Sequence, residues 1–466
     1  MLKNKKIGKY ILHINYLYIY QTTEYNTKKF LIYTKYNLLN PKIFEKKFKN
    51  TLDFTSKIYM YLFFTIILQI ITFLLIINRN AFFDIIMILI IYILTPIYIL
   101  ISNILIQPIL FISKKILVKR AQKKIFKMKD IKIIAVTGSF GKSSTVSFIN
   151  SMLKNDINLF TPRLGVNTII GISKEIIKKM PFDTKILLLE IGAYKEGEIL
   201  KVIKAFPPDI SIITDIGIEH LERFGSLKSI IRSETESIRF SKPQSKIIVP
   251  LKIVKKKNVP ILDNREYIYV SFKIQKIKDL TTYFSITEND TTMSFHTKLL
   301  GRANINNLSL AITTVLLFEK SNIQGKINML KPIERRLNPI IKNKILIIDD
   351  TYNISFKSGK NGILTLTDLK KAKEIKRSVI ATGGIVELGN RSHDINKRYG
   401  SLLEKYADLI ILFNTPYKKD IIDGIVDKNK ILEYNDYKML DKDLLKILKS
   451  RDGFLMQNEI PDEYYI

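Results

Sequence analysis

No cysteine occurs among the 466 residues. That excludes a disulfide framework, a thiol nucleophile and a cysteine metal site, and it is compatible with a reducing compartment. Acidic residues are scarce: 43 Asp and Glu stand against 75 Lys and Arg, leaving a formal charge of +32. Such an excess suits an anionic membrane surface, nucleic acid or acidic substrates. No basic–aromatic nucleic-acid motif accompanies it, so nucleic acid is set aside. The excess is read as lysine-for-arginine and isoleucine-for-leucine bias together with a membrane surface. No internal repeat, low-complexity segment or long linker breaks the chain. The first long apolar run lies too deep for a cleaved signal peptide. Histidine is rare, with four in the chain, so each one is worth weighing.

Long apolar runs are present. Tyr61 to Ile77 carries no charge, and Ala81 to Ile112 carries only Asp84. About 20 residues cross a bilayer core, so the two runs read as a transmembrane helical hairpin. Its crossings are expected near Tyr61–Ile77 and Ile85–Ser102, with Pro96 and Pro108 kinking or ending the second helix. The flanks are basic (Lys42, Lys46, Lys47, Lys49 and Lys57 before; Lys114, Lys115, Lys119, Arg120, Lys123 and Lys124 after), whereas the turn holds only Arg79. The positive-inside rule then puts both flanks in the cytoplasm. The tyrosine-rich run Tyr10 to Tyr20 is short for a span and is expected at the membrane interface.

From about Lys129 apolar strand-like runs alternate with helical patterns: Lys132–Thr137, Ile186–Ile191, Asp209–Ile216 and Lys246–Pro250. This is the α/β rhythm of a mainly parallel sheet. Residues 251–300 read as β-rich and irregular. A helix carrying Leu308, Leu310, Ala311, Val315 and Leu316 follows Gly301, and a second α/β unit starts near Lys331 with strands at Lys344–Ile348, Ser378–Thr382 and Asp408–Phe413. The expected organisation is a membrane-associated region over 1–128, a central P-loop ATPase-type parallel-sheet domain over 129–325 and a C-terminal Rossmann-like α/β domain over 326–466.

The stretch Ile133 to Ser144 joins a strand, a glycine turn and a helix whose apolar positions are Val146, Phe148, Ile149, Met152 and Leu153. That is a phosphate cradle. Gly138 and Gly141 let backbone N–H groups approach an anion, and the helix N-terminus adds positive potential. Lys142 would reach the outer phosphates, with Ser143 placed on Mg²⁺ and Ser144 beside it. The spacing is the short Thr-Gly-x-x-Gly-Lys-Ser form: Val136 stands where the common P-loop has its first glycine. In such sheets ligands gather at the C-terminal ends of strands. Those ends offer Glu190-Ile-Gly-Ala193 and Thr214-Asp-Ile-Gly217, followed by Glu219-His220. Glu190 and His220 would complete a Mg²⁺ site begun by Ser143. Histidine is the less usual ligand for magnesium, and a surface residue is the bland reading of His220.

In this order, Thr137-Gly-Ser-Phe-Gly-Lys-Ser-Ser144, Glu190-Ile-Gly-Ala-Tyr-Lys-Glu-Gly-Glu198, Thr214-Asp-Ile-Gly-Ile-Glu-His220, Gly301-Arg-Ala-Asn-Ile-Asn-Asn307, Arg336-Leu337, Asp349-Asp-Thr-Tyr-Asn353 and Glu387-Leu-Gly389 resemble the Mur ligases, ATP-dependent amide ligases of peptidoglycan precursor synthesis. The second, sixth and seventh stretches are most similar to the branch that adds D-alanyl-D-alanine. The resemblance implies ATP and Mg²⁺ as cofactors, with UDP-MurNAc-peptide and D-Ala-D-Ala as substrates. It implies that Lys142 binds the β- and γ-phosphates and that Ser143, Glu190 and His220 hold Mg²⁺. Asn304 and Asn307 would face the adenine, unless they serve as a helix cap. Arg336, Asp350, Tyr352 and Asn353 would close over the nucleotide, with plain core as the alternative for Tyr352.

The departures from the family pattern are informative. The hairpin occupies the place of the family's UDP-binding domain, Ala303 replaces a histidine, and Thr382-Gly-Gly-Ile-Val386 lacks the usual aspartate. Gln457 to Tyr464 replaces a Lys-Gly-Ser stretch. The family's carbamylated, Mg²⁺-ligating lysine falls on Glu234, whose carboxylate would supply that charge directly, with Glu236 as a neighbour able to help. A solvated helix glutamate is the alternative. The resulting expectation is a monomeric, multi-pass protein of the cytoplasmic membrane, in contact with membrane lipid, with its catalytic domains facing the cytoplasm. The competing readings are a membrane ligase with another acid and amine, as in poly-γ-glutamate synthesis, and a non-catalytic nucleotide-binding membrane protein.

Overall fold

The computed structural model describes residues 12–23, 25–37, 52–77, 80–217, 221–254, 265–352, 354–386, 388–413, 415–435 and 437–458. The chain divides into two compact units, one holding Met1–Ile116 and the other Leu117–Ile460.

The first unit is helical: α1 (Leu12–Thr22), α2 (Thr27–Asn37), α3 (Ser56–Ile76), α4 (Ala81–Ile93) and the start of α5 (Thr95–Phe126). Among the described residues, α3 and α5 are long and apolar enough to cross a membrane, whereas α4 is shorter. Leu74, Leu75, Phe63, Ile104 and Phe111 are 59–81% exposed, far more apolar surface than a helix shows water without cause.

The second apolar run is not one helix. It breaks at Leu94, inside the expected crossing Ile85–Ser102. Pro96 has no N–H to donate to the carbonyl of Tyr92, four residues back. The Thr95 hydroxyl takes that carbonyl instead, at 2.6 Å. Gln69 of α3 donates to the neighbouring Ile91 carbonyl at 3.3 Å and to Thr95 Oγ1 at 3.1 Å. Pro108, by contrast, stays within α5. Part of the run expected at the interface packs against other helices of this unit. Tyr16 to Tyr20 are buried in one cluster with Phe30, Ile58, Tyr61, Ile99 and Ile106.

The second unit holds two sheets. The first contains β1 (Lys132–Thr137), which leads into α6 (Lys142–Leu153), then β2 (Leu159–Phe160), β3 (Ile186–Glu190), β4 (Ile210–Ile213), β5 (Lys246–Pro250), β6 (Glu266–Lys278), β7 (Thr281–Glu288) and β8 (Thr291–Thr297). Its order is β2-β3-β1-β4-β5-β6-β7-β8. Pairing is parallel from β2 to β6 and antiparallel across β6, β7 and β8. β1 is buried at every residue after Lys132, as a strand covered on both faces must be. Val146, Phe148, Ile149, Met152 and Leu153 of α6 share a core with the helix Arg302–Leu316. The other face is closed by the helices Ile169–Lys179 and Glu198–Ala205.

The second sheet contains β9 (Asn338–Lys342), β10 (Ile345–Asp350), β11 (Arg377–Thr382), β12 (Leu409–Phe413), β13 (Ile431–Tyr434) and β14 (Asp452–Gln457), in the order β13-β12-β11-β14-β10-β9. Only β9, paired with β10, runs antiparallel among them. The α/β rhythm read in the sequence thus produces two parallel-rich sheets, with β1, β3 and β4 side by side so that their C-terminal ends meet.

Candidate active site

The site grows from the end of β1. Gly138 and Gly141 have φ of 125° and 83°, in the left-handed region that favours glycine. Space demands glycine as well. A Cβ at Gly138 would lie 2.4 Å from Thr214 Oγ1, and one at Gly141 would lie 2.2 Å from Asn307 Oδ1. The loop is seated on β4: Ser139 N–H donates to the Asp215 carbonyl at 2.8 Å, and the Thr214 hydroxyl lies within hydrogen-bond reach of the carbonyls of Thr137 and Phe140. Ser139 Oγ exchanges hydrogen bonds with the backbone of Gly217, each 3.1 Å long.

Lys142 opens α6, and its ammonium folds back onto the carbonyls of Gly138 and Ser139. Ser143 Oγ donates to Glu190 Oε1 at 2.9 Å. Glu190, at the end of β3, is 6% exposed, and its buried Oε2 has no hydrogen-bond partner among the described residues. A buried carboxylate oxygen left unsatisfied is costly. A hydroxyl and a spare carboxylate oxygen beside a phosphate loop suit a hard cation that takes oxygen ligands. Ser143 and Glu190 therefore fit Mg²⁺. No group of three or more His, Cys, Asp or Glu side chains able to hold a metal occurs among the described residues. His220 and Asn353 lie outside the described residues.

Glu234 closes the helix Leu227–Glu234 and is buried; its Oε2 accepts the Gly138 N–H at 2.7 Å. It is therefore held against the phosphate loop and is not a solvated surface residue. Glu236, expected as its helper, is committed elsewhere. Its two carboxylate oxygens accept the N–H groups of Gly197 (2.6 Å) and Leu200 (2.7 Å), satisfying the open N-terminus of the helix Glu198–Ala205. A pocket runs outward from the loop. It is lined by Ser139, Lys142, Glu234, Gly192, Ala193, Asn167, Tyr194, Phe224 and Ile230. Sequence reading missed Asn167, Phe224 and Ile230 as site residues: they come from separate connections and helices, and no motif marks them.

Ser144 is buried in the first turn of α6. Asn307 packs against Gly141, as noted above, but Asn304 turns back to donate to the Leu300 carbonyl at 3.0 Å. Asn306, unread in the sequence, donates to the Thr214 carbonyl at 3.2 Å and accepts from Lys252 at 2.9 Å. On the second sheet, the Arg336 guanidinium lies 4.3 Å from the centroid of the Tyr352 ring. Tyr352 is 56% exposed, so it is not core.

Asp350 differs from expectation: it faces inward. Its carboxylate accepts Leu337 N–H at 3.2 Å and Gln457 Nε2 at 3.0 Å, and Gln457 Oε1 in turn accepts from Tyr399 at 2.8 Å. Burial pushes its carboxyl up to about 7. A carboxyl raised above its unfolded value stabilises the fold below that unfolded value, and the contribution is lost as pH rises through the folded one. Stability to urea is therefore expected to fall from pH 5 to pH 8. Asp350→Asn should flatten that fall, and an unaltered pH slope would show that Asp350 is not its source.

Residues 136–315 match the family model of the Mur ligase middle domain. The UDP-N-acetylmuramoyl-tripeptide–D-alanyl-D-alanine ligase of Buchnera aphidicola subsp. Acyrthosiphon pisum is 28% identical over 298 residues, covering 59% of this chain and 62% of that protein. The Bacillus subtilis ligase of the same name is 26% identical, over 58% and 60%. The chain thus spans about three fifths of the length of these relatives. Among solved structures, the MurF ligase of Thermotoga maritima in complex with ADP superposes with a TM-score of 0.67 at 24% identity, covering 74% of this chain and 80% of that one. A pseudomurein peptide ligase type C from Methanothermus fervidus gives 0.54 at 17% identity, over 72% and 78%. These likenesses show a shared fold. Residues 136–315 therefore match the Mur ligase middle domain, within an α/β chain that has the Mur ligase fold.

Proposed function

We propose that this protein is a membrane-anchored, ATP-dependent amide ligase that joins D-alanyl-D-alanine to UDP-MurNAc-tripeptide through an acyl phosphate. The observation that carries the reading is the cradle itself: Lys142 on the phosphate loop, with Ser143 bonded to Glu190 and a spare buried carboxylate oxygen beside them. The names of the relatives supply the substrate pair. Residues 129–325 would form the ATP-binding domain and residues 326–466 the C-terminal domain, the chain acting as a monomer.

In this reading the loop N–H groups and Lys142 bind the phosphates of ATP. Ser143 and Glu190, with His220 and Glu234 as further candidates, would hold Mg²⁺, which when bound neutralises charge developing on the phosphates. The substrate carboxylate attacks the γ-phosphorus in line, the bond to the β-phosphate oxygen breaks, and ADP leaves. Lys142, released from the carbonyls of Gly138 and Ser139, spreads the transferred charge. The amine then attacks the acyl carbon, loses a proton and expels phosphate, leaving the amide. Arg336 and Tyr352 would close over the nucleotide, and closure keeps water from the acyl phosphate.

The test uses the full chain in detergent with ATP, Mg²⁺, UDP-MurNAc-tripeptide and D-Ala-D-Ala, read by phosphate release and product mass. Release that needs both substrates, with the mass of the amide, supports the proposal. Release that needs glutamate instead would replace it with a different acid and amine pair, and nucleotide binding without release would make the protein non-catalytic.

The membrane reading rests on the apolar exposure of α3 and α5 and on the basic flanks. Two crossings, α3 and the second apolar run near Ile85–Ser102, would put both ends and the phosphate loop in the cytoplasm. A topology reporter fused after Lys129 is expected to give a cytoplasmic signal. A signal from the opposite side would separate the loop from ATP and overturn the assignment.

A further inference from the structure

Asp215 follows β4, directly behind the phosphate loop, and is 7% exposed. Nothing in the chemistry above uses its side chain, yet two lysines from different parts of the chain converge on it. Lys252 approaches Asp215 Oδ2 to 3.7 Å, and Lys357 approaches the same oxygen to 2.5 Å. Lys252 belongs to the eight-stranded part. Lys357 comes from the six-stranded part, on the first turn of the helix Phe356–Lys371.

That first turn is an unfavourable place for a cation, because the helix N-terminus is itself positive. Local structure gives Lys357 no compensation: the turn is capped by Ser355 and Ser358 bonding each other's backbone N–H. The compensation is tertiary. The ammonium sits on Asp215 and 5.9 Å from the centroid of the Phe140 ring, which belongs to the phosphate loop. A Cβ at Gly217 would lie 2.5 Å from Phe140 Cε2 and 3.6 Å from Lys357 Cδ, so the lysine stem and the loop phenyl meet where no side chain intervenes. Asp215 is tied to the loop a second way, through its carbonyl and Ser139 N–H at 2.8 Å. The same helix meets the eight-stranded part at its far end, where Arg302 Nε lies 3.1 Å from Asp368. That pair is remote from the loop in the chain and touches none of its residues among the described contacts.

We propose that Lys357 and Asp215 are positioning residues, forming an ion pair that fixes the six-stranded part against the phosphate loop. The consequence for turnover rests on the ligase reading above: the pair holds the closed arrangement in which an acyl phosphate meets amine and not water.

The absence of cysteine makes the test clean. Lys201→Cys and Lys397→Cys, both exposed and on opposite parts, accept a donor and an acceptor dye in the full chain in detergent, and single-molecule energy transfer reports the distance without nucleotide. Lys357→Met is expected to shift the open-to-closed ratio about fivefold, at the upper end for a partly exposed pair, and Lys357→Arg should restore the parent ratio. Asp215→Asn keeps the acceptor for Ile216 N–H, 2.8 Å away, and should open the molecule as Lys357→Met does. The double variant should open no further than either single one, because both remove the same interaction. A distance distribution unchanged in Lys357→Met overturns the proposal. In the coupled assay, Lys357→Met should release more phosphate per amide formed than the parent. A parent that makes no amide would sink the ligase reading, while energy transfer would still decide the ion pair.

Discussion

Lys142→Ala is expected to lower amide formation by at least about 10²–10³-fold, the loss seen when one preorganised charge or donor is removed from a transition state. The fold should survive. In the structure the Lys142 ammonium contacts only the loop carbonyls of Gly138 and Ser139 among the described hydrogen bonds. The packing of α6 is carried by Val146, Phe148, Ile149, Met152 and Leu153. The thermal midpoint should therefore match the parent while phosphate release collapses. Near-normal release from a folded Lys142→Ala protein would remove the phosphate cradle from the mechanism.

The second large effect is expected at Glu234. Its carboxylate accepts the Gly138 N–H at 2.7 Å, so it touches the loop whatever else it does. Glu234→Gln keeps a carbonyl oxygen for that N–H and removes only the charge. If Glu234 supplies the charge that a carbamylated lysine gives the resembling ligases, this variant should fold, bind nucleotide and lose most of its activity. The parent should work equally well in CO₂-depleted buffer, since glutamate needs no CO₂ to carry its carboxylate. Glu234→Lys is the sharper probe. It leaves the Gly138 N–H facing an ammonium until bicarbonate converts the lysine to a carbamate, which restores both acceptor and charge. Activity should return only with bicarbonate, together with a mass gain of one CO₂ on the intact protein. A fully active Glu234→Gln would leave Glu234 as the seat of the Gly138 N–H alone. Glu236 could not take over, because the helix Glu198–Ala205 holds both of its oxygens.

What the sequence made legible was local. β1, the glycine turn and α6 follow from an apolar run, two glycines and a helical stripe within one short stretch, and each strand end could be read as a ligand-facing position. The surroundings the sequence did not show are those set by the packed fold. Asp350 sits in a ligand-like motif, but Gln457 and Leu337 draw it inward. Asn304 is near Asn307 in sequence, yet only Asn307 reaches Gly141. The break at Leu94 was half visible: Pro96 signalled an interruption, but its position depended on Thr95 and Gln69 taking the freed carbonyls. Lys357 had no signal beyond its awkward charge at a helix start.

The most direct test of the account follows oxygen. In an acyl-phosphate route at the Lys142 loop, the substrate carboxylate gives one of its oxygens to phosphorus and never recovers it. UDP-MurNAc-tripeptide labelled with ¹⁸O in its reacting carboxylate, incubated with the full chain, ATP, Mg²⁺ and D-Ala-D-Ala, should release phosphate carrying one ¹⁸O per amide formed. Unlabelled phosphate alongside labelled amide would contradict the mechanism.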